Sequence, residues 1–163
     1  NVDSSKYVKK KAERQLKNPY ESLPDIIHDN FPPIYFYTPD RFLMILSAIS
    51  IIYVNSLLEI YKNLLCLGIC LFIRSFFIRI TIFPSCIPRN RINKKLPLYD
   101  QCFLSSHDFM FSGHTIFYFF FANILNYNII IIIGPILSVT SRQHYSIDVI
   151  IAGIIYSYIF YLL

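Results

Sequence analysis

Charge is scarce in this sequence. Charged residues make up 15% of the 163, against about 25% in an ordinary soluble domain. Hydrophobic residues make up 55% and aromatic residues 17%, and the mean hydropathy is +0.46. Such a composition excludes intrinsic disorder, which needs low hydrophobicity and high net charge. It also disfavours a water-soluble globule, because the apolar residues run in long blocks rather than in an amphipathic rhythm. No CxxC occurs, so zinc is not indicated. No segment repeats with a period of about 20–50 residues. Residue 1 is Asn and no signal peptide opens the chain, which reads as a processed or truncated product.

The charge that is present is mostly basic, with a net +5 and a pI near 9.0. Nucleic acid is a poor explanation for it, because most of the cations lie outside the apolar blocks, where membrane proteins keep them. Cys66 and Cys70 sit inside an apolar block and read as small buried hydrophobes. Cys86 and Cys102 share a polar loop and could pair only if that loop faces an oxidising lumen.

Residues 1–40 are polar and carry the basic run Lys6, Lys9, Lys10, Lys11, Arg14 and Lys17. This run reads as a solvated or headgroup-contacting arm. Pro24, Pro32, Pro33 and Pro39 then break regular structure. Five apolar blocks follow, over about 42–61, 64–83, 109–127, 128–141 and 146–163. They are too long for strands, and the fourth is short for a full span. The expected fold is therefore all-α: a polytopic membrane bundle of about five spans. A polar segment covers 1–40 and a membrane-embedded domain covers 41–163. Asn55 and Glu59 should lie near an interface. Arg79, close to the 84–108 loop, reads as a snorkelling anchor, and Arg74 as either an anchor or a phosphate ligand.

Counting crossings puts residues 1–40, the 84–108 loop and the starts of the third and fifth spans on one membrane face. Two short runs there carry chemistry: Asp108 to Thr115, and Ser141 to Asp148. His144 and Asp148 are four residues apart and share a helical face. A carboxylate one turn from an imidazole fixes its tautomer and stabilises its cation. His114 and His144 both sit near helix N-termini, where unpaired N–H groups and the dipole favour an anion such as a phosphodiester. Arg142 and Arg74 could add charge-assisted contacts to phosphate oxygens. Two histidines, one carboxylate and nearby arginines fit phosphoryl transfer by a histidine nucleophile, with the second histidine as acid and base. Taken singly, each histidine has a plainer reading as an interfacial residue, and His28 and His107 read as solvated.

At this point the residues resemble a known family. SGHT at 112–115 followed by HYSIDV at 144–149 resembles the lipid phosphatase/phosphotransferase superfamily, and more narrowly the sphingomyelin synthases and related ceramide phosphotransferases. LPDIIHDNF at 23–31 resembles the family's proline–aspartate segment. RSFFIRITIFPSCIP at 74–88 resembles its arginine-to-LPxP stretch. DFMFSGHT resembles CGDxxxSGHT, and HYSIDVIIAG resembles HYTxDVxxAY. The likeness covers about residues 23–163.

The resemblance implies an enzyme, a ceramide phosphotransferase. His144 would take phosphocholine or a similar headgroup from a glycerophospholipid, releasing diacylglycerol, and Asp148 would orient and activate it. His114 would protonate the leaving oxygen and then deprotonate the primary hydroxyl of ceramide. Arg74, Asp108 and Ser112 would shape the phosphate and headgroup site. No metal or other cofactor is implied. The partners are the lipid donor, a ceramide or diacylglycerol acceptor and the membrane itself, and nucleic acid is not among them. The family sits in Golgi, ER or plasma membrane with its site on the lumenal or exoplasmic leaflet. The positive-inside rule, by contrast, puts this face in the cytosol.

Departures from the pattern are specific. Ser106-His107 replaces Cys-Gly, Phe83 replaces Leu, Pro88 is displaced by two residues, and a basic tail stands where the family has its first span. Two alternatives follow: a lipid phosphate phosphatase of the same superfamily, or a truncated inactive relative. The phosphatase pattern has an upstream Lys-x6-Arg-Pro, absent here, and an arginine six residues before the second histidine. Arg142 is two before His144.

Overall fold

A computed structural model of the chain describes residues 25–35, 37–53, 57–80 and 111–163. The described residues are helical, without strands. In chain order the helices are α1 (Ile26–Asn30), α2 (Thr38–Ile52), α3 (Leu57–Ile80), α4 (Gly113–Leu125), α5 (Ile130–Thr140) and α6 (Ser146–Leu162).

Local chemistry sets the ends of these helices. Asp25 opens α1, its Oδ1 accepting the N–H groups of Ile27 at 3.0 Å and His28 at 3.2 Å. Pro39 lies in the first turn of α2, where no N–H is needed. Ser112 caps α4, and α6 opens with the Asp148 carboxylate accepting the Tyr145 N–H while the Asp148 N–H donates to the Tyr145 carbonyl. Two helices end in left-handed residues, Asn126 (φ 51°) after α4 and Arg142 (φ 64°) after α5. Both ends make the paired backbone bonds of a Schellman motif. After α4, Tyr127 N–H reaches Ala122 O and Asn126 N–H reaches Asn123 O. After α5, Gln143 N–H reaches Ser138 O and Arg142 N–H reaches Val139 O.

α4 is the central helix and packs against α2, α3, α5 and α6. Its inward side chains Ile116, Tyr118, Phe121 and Ala122 form the core with Cys66, Cys70, Ala152 and Tyr156. Tyr118 is fully buried, and a Cβ at Gly134 would fall 2.3 Å from its ring carbon Cγ. Glycine at 134 is thus what lets α5 lie against the tyrosine face. The outside of the bundle is greasy: Ile52 is 80% exposed, Phe72 79%, Phe76 62% and Ile154 64%. The inside holds polar Asn63, Ser138 and Asp148.

The helices differ from the apolar blocks in length. Among the described residues one helix, α3 through Leu58–Phe77, is long and apolar enough to cross a membrane. The others have 5 (α1), 15 (α2), 13 (α4), 11 (α5) and 17 (α6) residues. The first block does not run through to Tyr61. α2 stops at Ile52 and α3 takes up the chain at Leu57, so Glu59 lies in the first turn of α3 rather than at the end of a span. Asn55 lies outside the described residues. Within the third block the helix begins at Gly113, because Ser112 serves as its cap.

Candidate active site

The site forms where the starts of α4 and α6 meet. Ser112 Oγ accepts the Thr115 N–H at 3.2 Å and the Thr115 hydroxyl at 2.9 Å. The Ser112 N–H donates to the Asp148 carbonyl at 3.4 Å and so ties the two helix starts together. At Gly113 a Cβ would lie 3.1 Å from Arg74 Nε, so the missing side chain lets the guanidinium lie against the turn. Arg74 donates through Nε to the Phe111 carbonyl at 3.1 Å. Arg74 therefore stands at the start of α4.

His114 and His144 face each other. His114 Nδ1 lies 3.4 Å from His144 Nε2, and the ring centroids are 5.5 Å apart. The far nitrogen of His144, Nδ1, is 3.8 Å from Asp148 Oδ2. This is longer than a hydrogen bond but close enough for charge to matter. The same Oδ2 accepts the Tyr145 N–H at 3.0 Å. Asp148 thus caps its own helix and backs the imidazole. Burial, then the neighbouring His114 and Arg74, push the His144 pKa well below its ordinary 6.5. That direction favours the neutral imidazole, the form that has a nitrogen lone pair to offer.

Asp40, in the first turn of α2, completes the cluster. Its Oδ1 accepts from His114 Nε2 at 2.8 Å, and its Oδ2 accepts from Gln143 Nε2 at 2.8 Å. Neither Asp40 nor Gln143 is among the residues the sequence singled out. The usable signal was a carboxylate at the start of an apolar block, on the face shared by both histidines. Pro39 beside it drew attention to broken structure instead.

Arg142 is placed differently from expectation. Its guanidinium donates to the carbonyls of His28 and Phe31, the latter at 3.4 Å, and so holds the α1 segment instead of facing the histidine pair. A non-glycine residue at positive φ is strained, and these bonds help to hold Arg142 there. His28 also departs from its expected solvated role. It is 6% exposed, and its Nε2 lies 3.0 Å from the Val139 carbonyl and 3.1 Å from the His144 carbonyl. Both partners only accept, so this nitrogen carries the proton.

Asp25 joins the α1 segment to α6. Its Oδ2 accepts the Ser146 N–H at 2.6 Å and its Oδ1 the Ser146 hydroxyl at 2.9 Å. Burial opposes its charge, but the Ser146 and His28 N–H groups and the Ser146 hydroxyl outweigh burial and hold the carboxyl below its ordinary value. Segment 25–31 is therefore a brace for the loop that carries His144. Replacing Asp25 with Ala removes four accepted bonds. The thermal midpoint in detergent should drop by several degrees, consistent with a loss of about 2 kcal/mol or more. A midpoint unchanged within error contradicts the brace.

The brace also has a pH signature. Burial lowers the pKa of His28 from its ordinary 6.5, and that of His144 moves the same way. Groups that resist protonation when folded give their full stability above the unfolded value and lose it as pH falls below it. The thermal midpoint should therefore decline from pH 7 to pH 5. His28→Gln, which keeps a donor for the two carbonyls, should make that decline shallower. An equal slope in the variant contradicts this role.

Beside the site, a shallow apolar groove of about 460 Å³ is lined by Thr115, Phe119, Pro135, Val149, Gly153 and Ile154, among others. Thr115 and Val149 directly follow His114 and Asp148 in the chain. Among the described residues no cluster of three His, Cys, Asp or Glu side chains suits a metal ion. Asp108, His107, Cys86, Cys102, the side chain of Arg79 and the basic arm lie outside the described residues. No protein-family model, curated protein or solved structure matches the chain.

Proposed function

We propose that the chain is a polytopic membrane phosphotransferase. It moves a phospholipid headgroup, phosphocholine or similar, from a glycerophospholipid to ceramide through a phosphohistidine, making a phosphosphingolipid and diacylglycerol. The observation that carries this reading is the opposed pair His114 Nδ1 and His144 Nε2 at 3.4 Å, with one carboxylate behind each ring. The greasy exterior and the groove beside the site support a lipid substrate.

In the first step His144 Nε2 attacks phosphorus, a P–N bond forms and the bond from phosphorus to the glycerol oxygen breaks. His114 Nδ1 gives its proton to that oxygen, and diacylglycerol leaves. In the second step the acceptor's primary hydroxyl oxygen attacks phosphorus while His114 Nδ1 takes its proton, and the P–N bond breaks. Arg74 supplies positive charge to phosphate oxygens. Asp148 stabilises the positive charge that His144 gains on attack.

The test is to supply a mixed pool of phosphatidylcholine, phosphatidylethanolamine, phosphatidic acid, ceramide and diacylglycerol to the chain in membranes, and to read the lipid products by mass spectrometry and the free phosphate released. A new phosphosphingolipid that depends on His144 supports the reading. Free phosphate from phosphatidic acid, with no transfer product, would instead make the chain a lipid phosphate phosphatase. No product of either kind, at normal expression, contradicts both.

A further inference from the structure

We infer that Asp40 is a positioning residue that makes His114, rather than His144, the proton carrier of the pair, and that it does so by bridging His114 and Gln143. The inference rests on the phosphotransferase reading for its purpose, but its structural content can be measured without activity.

The two imidazoles do not have equivalent surroundings. Asp40 Oδ1 is within hydrogen-bond distance of His114 Nε2, at 2.8 Å. An ionised carboxylate only accepts, so His114 Nε2 carries a hydrogen. In the neutral ring Nδ1 is then bare, and it is Nδ1 that faces His144. Asp148, by contrast, stays 3.8 Å from His144 Nδ1 and spends Oδ2 on the Tyr145 N–H.

The charged and titratable groups around the pair come from every side. Asp40 arrives from α2, Arg74 from α3 and Asp148 from α6, while His28 of α1 bonds to the His144 carbonyl. α5 contributes none. Arg74 bears on His144 with like charge, whereas the hydrogen-bonded carboxylate of Asp40 belongs to His114. A proton added between the two facing nitrogens is therefore better stabilised on His114 Nδ1, where the leaving oxygen needs it, and His144 Nε2 stays bare for attack. When the proton has gone to diacylglycerol, the bare Nδ1 is ready to accept the acceptor's hydroxyl proton. The second arm of Asp40, on Gln143, fixes the residue before the nucleophile. One carboxylate thus sets the spacing between acid and nucleophile.

The test uses the full chain with isotopically labelled histidine in lipid nanodiscs, read by nitrogen NMR, which distinguishes protonated from bare ring nitrogens. His114 is assigned by the signal lost in His114→Gln. In the unaltered protein the neutral His114 ring should carry its proton on Nε2. In Asp40→Asn, whose side-chain amide can donate as well as accept, the preference for Nε2 should be lost and the proton should spread to Nδ1. The His28 signal, held by the Val139 and His144 carbonyls, should stay in place and report an intact fold. In the transfer assay the same variant should lose about 10- to 100-fold in kcat with KM for the donor little changed.

A neutral His114 protonated on Nδ1 in the unaltered protein overturns the inference even if Asp40→Asn does not fold. A neutral His114 still protonated only on Nε2 in a folded Asp40→Asn variant overturns it too. Absence of any transfer activity with both NMR results as expected overturns the phosphotransferase reading and leaves the role of Asp40 standing.

Discussion

If the proposed transfer holds, replacing His144 with alanine should abolish diacylglycerol release from phosphatidylcholine, lowering the rate by at least about 10³-fold. Removal of a nucleophile ends the pathway, whereas removal of an acid only slows it. His114→Ala should therefore behave differently when the leaving group changes. With a glycerophospholipid donor it should also lose several orders of magnitude, because a departing alkoxide needs a proton. With a nitrophenyl phosphocholine donor, whose leaving group departs without one, His114→Ala should recover most of its rate in a single turnover and His144→Ala should recover none. Equal recovery by both variants contradicts the division of roles drawn from the 3.4 Å pair. The burial that favours the neutral form of His144 is part of the same picture. A nucleophilic nitrogen must be unprotonated, and this one lies against a guanidinium and a second imidazole.

Gly134→Ala should unfold or badly weaken the bundle. An added Cβ would meet Tyr118 ring atoms at 2.3, 2.4 and 2.6 Å, far inside ordinary contact. The tyrosine has little room to yield, because it is buried and its hydroxyl donates to the Pro39 carbonyl at 3.2 Å. Relief requires α5 to move away from α4, which opens the core around Ile116 and Phe121. A loss of about 3 kcal/mol or more is expected, read as a large fall in thermal midpoint in detergent. Tyr118→Phe combined with Gly134→Ala should not restore it, because the clash is with the ring and not the hydroxyl. Pro39 precedes Asp40, so the same displacement should also disturb the carboxylate on His114. A midpoint within a degree of the unaltered protein contradicts the close approach.

The sequence made some of this legible and hid the rest for physical reasons. Blocks of apolar residues announced helices, and Ser112-Gly113-His114 and His144 through Asp148 marked two runs whose side chains meet, because short-range spacing is enough to place them on their helix starts. Cys66 and Cys70 proved to be the small buried residues their apolar context suggested. What spacing could not show were partners far away in the chain. Asp40 lies 74 residues from His114 and 103 from Gln143. His28 meets Val139 and His144 across 111 and 116 residues. A polar segment rich in proline looks solvated until its Asp25 is seen to cap the start of α6. Arg142, next but one to His144 in sequence, is carried away from the pair by its positive φ. Adjacency along the chain misled there, because a left-handed residue reverses the direction in which the next side chains point.

Helix lengths were misjudged for a related reason. Hydropathy averages over windows, and it does not register a Ser112 cap or an Asn126 terminator inside an apolar run. At about 1.5 Å of rise per residue, the 13 residues of α4 reach about 20 Å. The site therefore lies at the end of short helices, where polar backbone groups are unpaired and an anion is welcome.

The most direct measurement is capture of the covalent intermediate. Purified chain in nanodiscs is mixed with phosphatidylcholine labelled in its phosphate and quenched within one turnover, without an acceptor. The account predicts label bound to the protein through a bond stable to base and labile to acid, located by mass spectrometry on His144 and discharged when ceramide is added. Label that persists in His144→Ala, or lipid turnover with no label on His144 at any time, contradicts it.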